Sequence, residues 1–332
     1  MATEFMLTLR GDLIATKKVA ETTADAYLKT LTILNEKKPF KNLNFLKKSE
    51  DILKRVAEYA DSTQKAVLAT IVSVLSLHTE TPAKKKLYEL YREKMMGKIE
   101  DVKKEETANE GKKTAKQTEN WMTWEEVNEK KKALQTEVEA GRKKKTLLVG
   151  EYDHLLSLVI LSLYTDTQPR RNLDYQKMLV VKSWKEGDAP EDNNYYDLKG
   201  QRFIFNKFKT AKTYGRQIVE LPETLKATLT YYIKRHPLAK EMKTGYPLLV
   251  DAKGEPLTAV NAITRVLNKI FGKKVGSSML RHIFITDKYG GAKTEMEKDA
   301  TAMGHSVAEQ QKVYNVPKER CESVVIPTTS ST

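Results

Sequence analysis

Apolar residues recur at helical spacing along most of the chain, and the places where they stop define its elements. In the first hundred residues they predict helices at about 23–36, carrying Tyr27, Leu28, Leu31 and Leu34, at about 50–60, and at 63–78, carrying Val67, Ile71, Val74 and Leu75. A fourth helix starts at Thr81-Pro82, an N-cap followed by proline at the first helical position, where no N–H is needed. The stretch EETANEGKKTAKQTEN, at 105–120, is polar, almost without apolar residues, and reads as a linker. The expected division is an all-helical domain at 1–105, a linker at 106–120 and a second domain at 121–332.

The second domain opens on a capping box, Thr123 with Glu126, which starts a helix running to about Val138. A basic loop, GRKKK, follows, and then a strongly apolar helix at 147–164 that is expected to form the core. Pro169 breaks that helix in TDTQPRRNLDY and exposes Arg170 and Arg171. Next come a β stretch, MLVVKSW, and RFIFNKFKTAKTYGRQIVELP, in which two apolar runs flank a turn rich in Lys, Thr and Gly. That pattern predicts an antiparallel hairpin. Helices near 223–235 and 258–271 are separated by a short apolar strand at 248–250. The fold class expected is mainly α with a small antiparallel β-sheet, in two domains.

From 278 to 314 the local signals predict three helices. The first carries Met279, Leu280, Ile283 and Phe284 and runs out at Gly290-Gly291, a pair suited to a left-handed C-cap. Thr294 and Glu297 form the capping box of the second, which Gly304 ends next to His305. Ser306 and Glu309 repeat the device for the third, which places Val307, Gln310, Gln311 and Tyr314 on one face before Pro317 stops it.

Charge narrows the choice of partner. The 58 Lys and Arg against 44 Asp and Glu leave a net charge of +14, which favours nucleic acid or an anionic membrane surface. No apolar run approaches a membrane span and no compact basic amphipathic anchor stands out, so duplex DNA is the expected partner and no membrane is. In the amino-terminal domain Lys17, Lys18, Lys29, Lys47, Lys48, Lys54, Arg55 and Lys65 are the candidate phosphate contacts, each of which could equally be a solvated surface charge. The start, MATEFMLTLRGD, lacks a signal peptide's basic end and apolar centre, and Cys321 is the single cysteine; both point to an intracellular protein. The five histidines, His78, His154, His236, His282 and His305, are not at metal-ligand spacing, and no Gly-rich phosphate loop is present, so neither a metal nor another cofactor is expected.

Arg281, His305 and Tyr314, held by short capped helices in a basic chain, suit phosphoryl transfer. A tyrosine hydroxyl can attack a phosphodiester if guanidinium and imidazole groups neutralise the charge that grows on the non-bridging oxygens. Together these residues resemble the tyrosine recombinase, or phage integrase, family, through Leu280-Arg281-His282, through Gly304-His305-Ser306, and through Tyr314 nine residues after His305. One position departs from the family, which has histidine three residues before this arginine, where the chain has Ser278. A hydroxyl there can hydrogen-bond but does not carry a proton near neutral pH.

The resemblance implies a helical core-binding domain and a catalytic domain that clamp duplex DNA, assembled as a homotetramer. It implies that Tyr314 forms a covalent 3′-phosphotyrosine while Arg171, Arg281 and His305 stabilise the pentavalent phosphorus, with Arg170 the alternative to Arg171. Asp174, three residues after Arg171, is implied as the group that orients the arginine. Lys209 on the hairpin, with Lys212 second, is implied as the acid that protonates the leaving 5′-oxygen. Ser278 and His282 are supporting positions, and Tyr289 is the nearest other nucleophile. The apolar run Val324-Val325-Ile326 is expected to pack on a neighbouring catalytic domain or on its own. The rival functions are a type IB topoisomerase and a DNA-binding protein without activity.

Overall fold

The computed structural model of the chain describes residues 2–187, 190–240 and 245–314, with the side chains of Val313 and Tyr314 excepted. The expected packing of 323–326 therefore lies outside the described residues. The chain divides into two compact units after Thr114, inside the stretch expected to link them. That stretch is itself largely helical at both ends.

The first unit holds α1 (Glu4–Lys17), α2 (Glu21–Leu34), α3 (Ser49–Ala57), α4 (Asp61–Leu75) and α5 (Pro82–Ala108). Its core is built from Leu9, Leu13, Leu31, Ile71 and Val74 around Tyr91, whose hydroxyl donates to the carbonyl of Leu46 at 2.8 Å. Thr81 caps α5 by accepting from the N–H of Lys84, with Pro82 following it as the sequence predicts. Helix α1 was not predicted. Its buried residues are Met6, Leu9 and Leu13, a narrow stripe interrupted by Gly11, and Thr3 caps it by accepting from the N–H of Met6. Three apolar positions in fourteen residues give too weak a period to separate from a polar chain start.

The second unit begins with α6 (Ala115–Asn120) and α7 (Trp124–Ala140), and the Thr123–Glu126 capping box is complete in both directions. Helix α8 (Val149–Thr165) is the central element, with Leu155, Val159, Ile160, Leu161, Leu163 and Tyr164 fully buried. After α9 (Asn172–Gln176) come β1 (Leu179–Val181), β2 (Tyr195–Asp197), β3 (Arg202–Phe205), α10 (Ala211–Tyr214), β4 (Gln217–Glu220), α11 (Glu223–Ile233), β5 (Tyr246–Pro247) and α12 (Ala262–Phe271). The chain closes with α13 (Ser277–Met303), α14 (Val307–Glu309) and a wide π-type turn at Gln310–Tyr314.

The sheet corrects the expectation of an antiparallel one. Its order is β4-β3-β2-β1-β5, and β1 pairs β2 in parallel, Leu179 opposite Tyr195, while the other pairs are antiparallel. A parallel pair needs a crossover, supplied here by the polar stretch between Val181 and Tyr195, which carries no strand signal of its own. The β3–β4 hairpin is present, with Phe203 opposite Val219, and its connection contains the short α10. The strand expected at 248–250 sits two residues earlier, at Tyr246–Pro247.

The larger correction concerns the carboxy-terminal helices. Gly290-Gly291 do not end a helix: α13 is continuous for 27 residues. Neither glycine adopts a positive φ, and the hydroxyl of Thr294 bonds back to the carbonyl of Gly290 at 3.0 Å, the pattern of a mid-helix threonine and not of an N-cap. Gly304, by contrast, stops the helix as expected, at φ 75°.

Candidate functional site

Helix α8 ends at Thr165, and the following loop is shaped by Pro169 before the chain re-enters a helix at Asn172. The loop is braced from below. Lys131 of α7 and Asp166, both nearly buried, form an ion pair at its base, and the hydroxyl of Thr167 donates to the carbonyl of Leu163 at 2.9 Å. What the loop projects is two adjacent guanidinium groups in different environments.

Arg170 is packed and fully engaged. Its guanidinium lies 3.8 Å from the ring centroid of Phe205, its Nε donates to Asp174 Oδ2 at 3.1 Å, and its Nη1 donates to Gln217 Oε1 at 2.7 Å. Desolvation raises the Asp174 carboxyl above its ordinary value, with Arg170 and then Arg171 pulling against that rise. Asn194 fixes the backbone of the same segment, donating to the carbonyls of Asp174 at 2.8 Å and Lys207 at 2.9 Å. Arg171 starts α9, and its guanidinium makes no hydrogen bond to a described residue. The carboxylate expected to orient Arg171 therefore holds Arg170 instead, and leaves Arg171 with its donors available.

Arg281 approaches from elsewhere in the fold. It sits in the first turns of α13, anchored by the buried Leu280 and Ile283 on either side, with its Nη2 donating to Ser278 Oγ at 3.0 Å. Ser278 thus accepts from Arg281, a role open to a hydroxyl at that position. Arg170, Arg171 and Arg281 line one cavity of about 290 Å³, together with Asp174, Gln217 and the aromatic side chains of Tyr175, Phe203, Phe205 and Phe208. Tyr175 stacks edge-on against Tyr164, Phe203 and Phe205, and burial pushes its hydroxyl up to about 12, so it stays neutral. An apolar floor beneath three guanidinium groups, two of which lie 110 residues from the third in sequence, describes a site for an oxyanion such as a phosphodiester.

Lys209 and Lys212 are both exposed, on the β3–β4 connection whose Phe208, Thr210 and Tyr214 line that cavity. His282 is exposed, one step round the helix from Arg281. His305 and Tyr314 are not brought to the arginines. A helix rises about 1.5 Å per residue, so Met303, the last residue of α13, stands about 33 Å along the axis from Arg281. Beyond it the Gly-His-Ser box is a joint between helices. Gly304 in the left-handed conformation lets its own N–H bond Thr301 O and the His305 N–H bond Ala300 O, and Ser306 caps α14 by accepting from the N–H of Glu309.

In the first unit Lys17, Lys18, Lys29, Lys47, Lys48 and Lys54 are exposed and Lys65 is half-buried. Arg55 is structural, donating to the carbonyl of Leu34 at 3.1 Å and to Glu36 at 3.2 Å. Among the described residues no group of three His, Cys, Asp or Glu side chains could hold a metal ion, and no helix is long and apolar enough to cross a membrane.

Sequence reasoning missed Gln217 and Phe205, which hold Arg170, because their roles depend on pairing across the sheet. It also missed a second basic groove of about 540 Å³, where Arg235 lies 3.7 Å from the ring centroid of Tyr231 and Arg142 lies 5.5 Å from it, beside Lys226 and Lys234. The GRKKK loop was the available signal for that groove. No protein-family model matches the chain, and no curated protein matches it.

Proposed function

We propose that the chain cleaves and rejoins DNA strands as a DNA strand transferase of the tyrosine recombinase kind. The observation that carries this reading is the convergence of Arg170, Arg171 and Arg281 on one aromatic-floored cavity, in a chain that also has the Gly-His-Ser box and a tyrosine nine residues after its histidine. In the reaction, Tyr314 Oη attacks phosphorus and loses its proton, the bond from phosphorus to the 5′-oxygen breaks, and Lys209 donates a proton to that oxygen. Arg171 and Arg281 neutralise the non-bridging oxygens, and Arg170 holds the cavity's shape through Asp174 and Gln217. In the second half a free 5′-hydroxyl attacks the phosphotyrosine and releases the tyrosine. The phosphodiester energy is kept in the intermediate, so the cycle consumes no nucleotide.

A second reading, a DNA-binding protein without activity, is favoured by one observation: His305 lies beyond the far end of α13 from the arginines. The two separate in a trapping experiment on a pool of nicked duplexes of random sequence. Strand transfer gives a protein–DNA adduct that survives denaturant, formed about a hundredfold more slowly by Arg281→Ala, the scale of losing one preorganised charge-stabilising donor. A binding protein retains the DNA and forms no adduct. A topoisomerase of the IB kind, the remaining alternative, would also relax supercoiled plasmid efficiently without any selected site. A duplex with a bridging 5′-sulfur, a leaving group that needs little protonation, should rescue Lys209→Ala and not Arg281→Ala; rescue of Lys212→Ala instead would give Lys212 the role.

A further inference from the structure

The carboxy-terminal half of α13 has no core of its own. From Ile285 to Asp299 no residue is buried, and all but Gly290 and Met296 are fully exposed. Such a stretch is marginal as a helix in water, and the two glycines each cost it about 1 kcal/mol relative to alanine. A helix of this kind is held by something packed along it.

Its side chains say which face. At 100° per residue, Ile285, Tyr289, Ala292, Met296 and Met303 fall within a strip about 40–60° wide. Ile285 is 52% exposed, Tyr289 49% and Met303 59%. The residues that anchor the start of α13, Leu280, Ile283 and Phe284, lie on the other side, with Phe284 edge-on to Trp124 at 5.3 Å. The exposed strip therefore faces away from the body that holds the helix, and it leads to His305.

We propose that this helix docks on a second copy of the chain and delivers His305 and Tyr314 to that copy's arginine cavity. The proposal rests on the strand-transfer reading. Each cavity holds the arginines and lacks the histidine and the tyrosine, while each helix carries the missing pair about 33 Å beyond its own Arg281. The occupant of the strip is then a second copy, because only another copy has a cavity that needs what the helix carries. The strip is narrow compared with the roughly 800 Å² per partner that a stable complex in solution buries, so the exchange is expected on DNA, where two bound copies are held at high effective concentration.

Complementation tests it. Arg281→Ala and Tyr314→Phe are each inactive alone in the trapping experiment. When they are mixed, an exchanged site combines the arginines of the Tyr314→Phe copy with the tyrosine of the Arg281→Ala copy. The expected result is an adduct in the mixture at a substantial fraction of the wild-type amount, carried wholly by the Arg281→Ala chain when the two are made different in mass. No adduct in the mixture, with wild type active in parallel, overturns the exchange and leaves strand transfer standing. No adduct from wild type on any duplex removes the strand-transfer reading and this proposal with it. A second readout is independent of chemistry: Ile285→Glu with Met296→Glu, on exposed or half-exposed positions, should leave the melting temperature unchanged and abolish cross-linking between copies on DNA. Unchanged cross-linking in that variant contradicts docking through the strip.

Discussion

Adjacent arginines illustrate how burial assigns roles. Arg170 is stacked on Phe205 and hydrogen-bonded to Asp174 and Gln217, so Arg170→Ala leaves a buried carboxylate without its partner and is expected to cost about 2 kcal/mol of stability. Arg171 has no such bonds, so Arg171→Ala should slow adduct formation about a hundredfold while leaving the melting temperature unchanged. Thermal melting of both variants beside their trapping rates checks the split; a stable Arg170→Ala or an unstable Arg171→Ala would reverse it. His236 supplies a pH dependence. Burial against Tyr232 and Tyr246 lowers its imidazole from 6.5 to about 4. Below pH 6.5 the unfolded chain binds a proton that the folded chain refuses, so this histidine costs stability as pH falls from 6.5 towards 4, by up to about 3 kcal/mol. Replacing it by glutamine should flatten the wild-type loss of stability across that window, and parallel curves for the two proteins would contradict the assignment. Neither residue's role was legible in the sequence. Arg170 and Arg171 are equivalent until a sheet places Phe205 and Gln217 beneath one of them, and His236 is one of five scattered histidines until its helix is packed.

Capping boxes and glycine stops are local, and most of the elements they define are where the sequence put them: Thr81 before α5, the Thr123–Glu126 box before α7, Gly304 and Ser306 around His305. The same signals mislead at Gly290-Gly291 and Thr294, where the chain continues as helix. Glycine permits a stop without requiring one, and a helix covered along one face by a partner gains more from continuity than two glycines cost. Replacing Gly290 and Gly291 together with alanine separates the possibilities. If α13 works as a straight helix, the variant should melt at the same or a higher temperature and keep its trapping activity. If the helix must break there to fold His305 back on its own cavity, activity should fall while helicity rises. The parallel β1–β2 pair was illegible for another reason: strand direction is set by a crossover whose polar residues carry no periodicity.

At the scale of the whole molecule, the division into a helical first unit and a second unit with a small sheet was readable from composition and period alone, although helix reaches further into the expected linker than its polarity suggested. The net charge of +14 and the exposed lysines of the first unit predict that DNA binding weakens with salt at a slope of about −0.9 per phosphate contact, and a flat response across the physiological range would contradict the charge argument. What no local signal conveys is which catalytic groups meet. The arginines are gathered by the fold of one chain, whereas His305 and Tyr314 are carried away from them, so assembly is part of the proposed chemistry. The most direct measurement is to trap the wild-type chain on nicked duplexes, digest it, and identify by mass spectrometry the residue left with DNA attached. The account predicts a nucleotide joined through its 3′-phosphate to Tyr314. Attachment to Tyr289 or any other residue, or recovery of no covalent product, would contradict it.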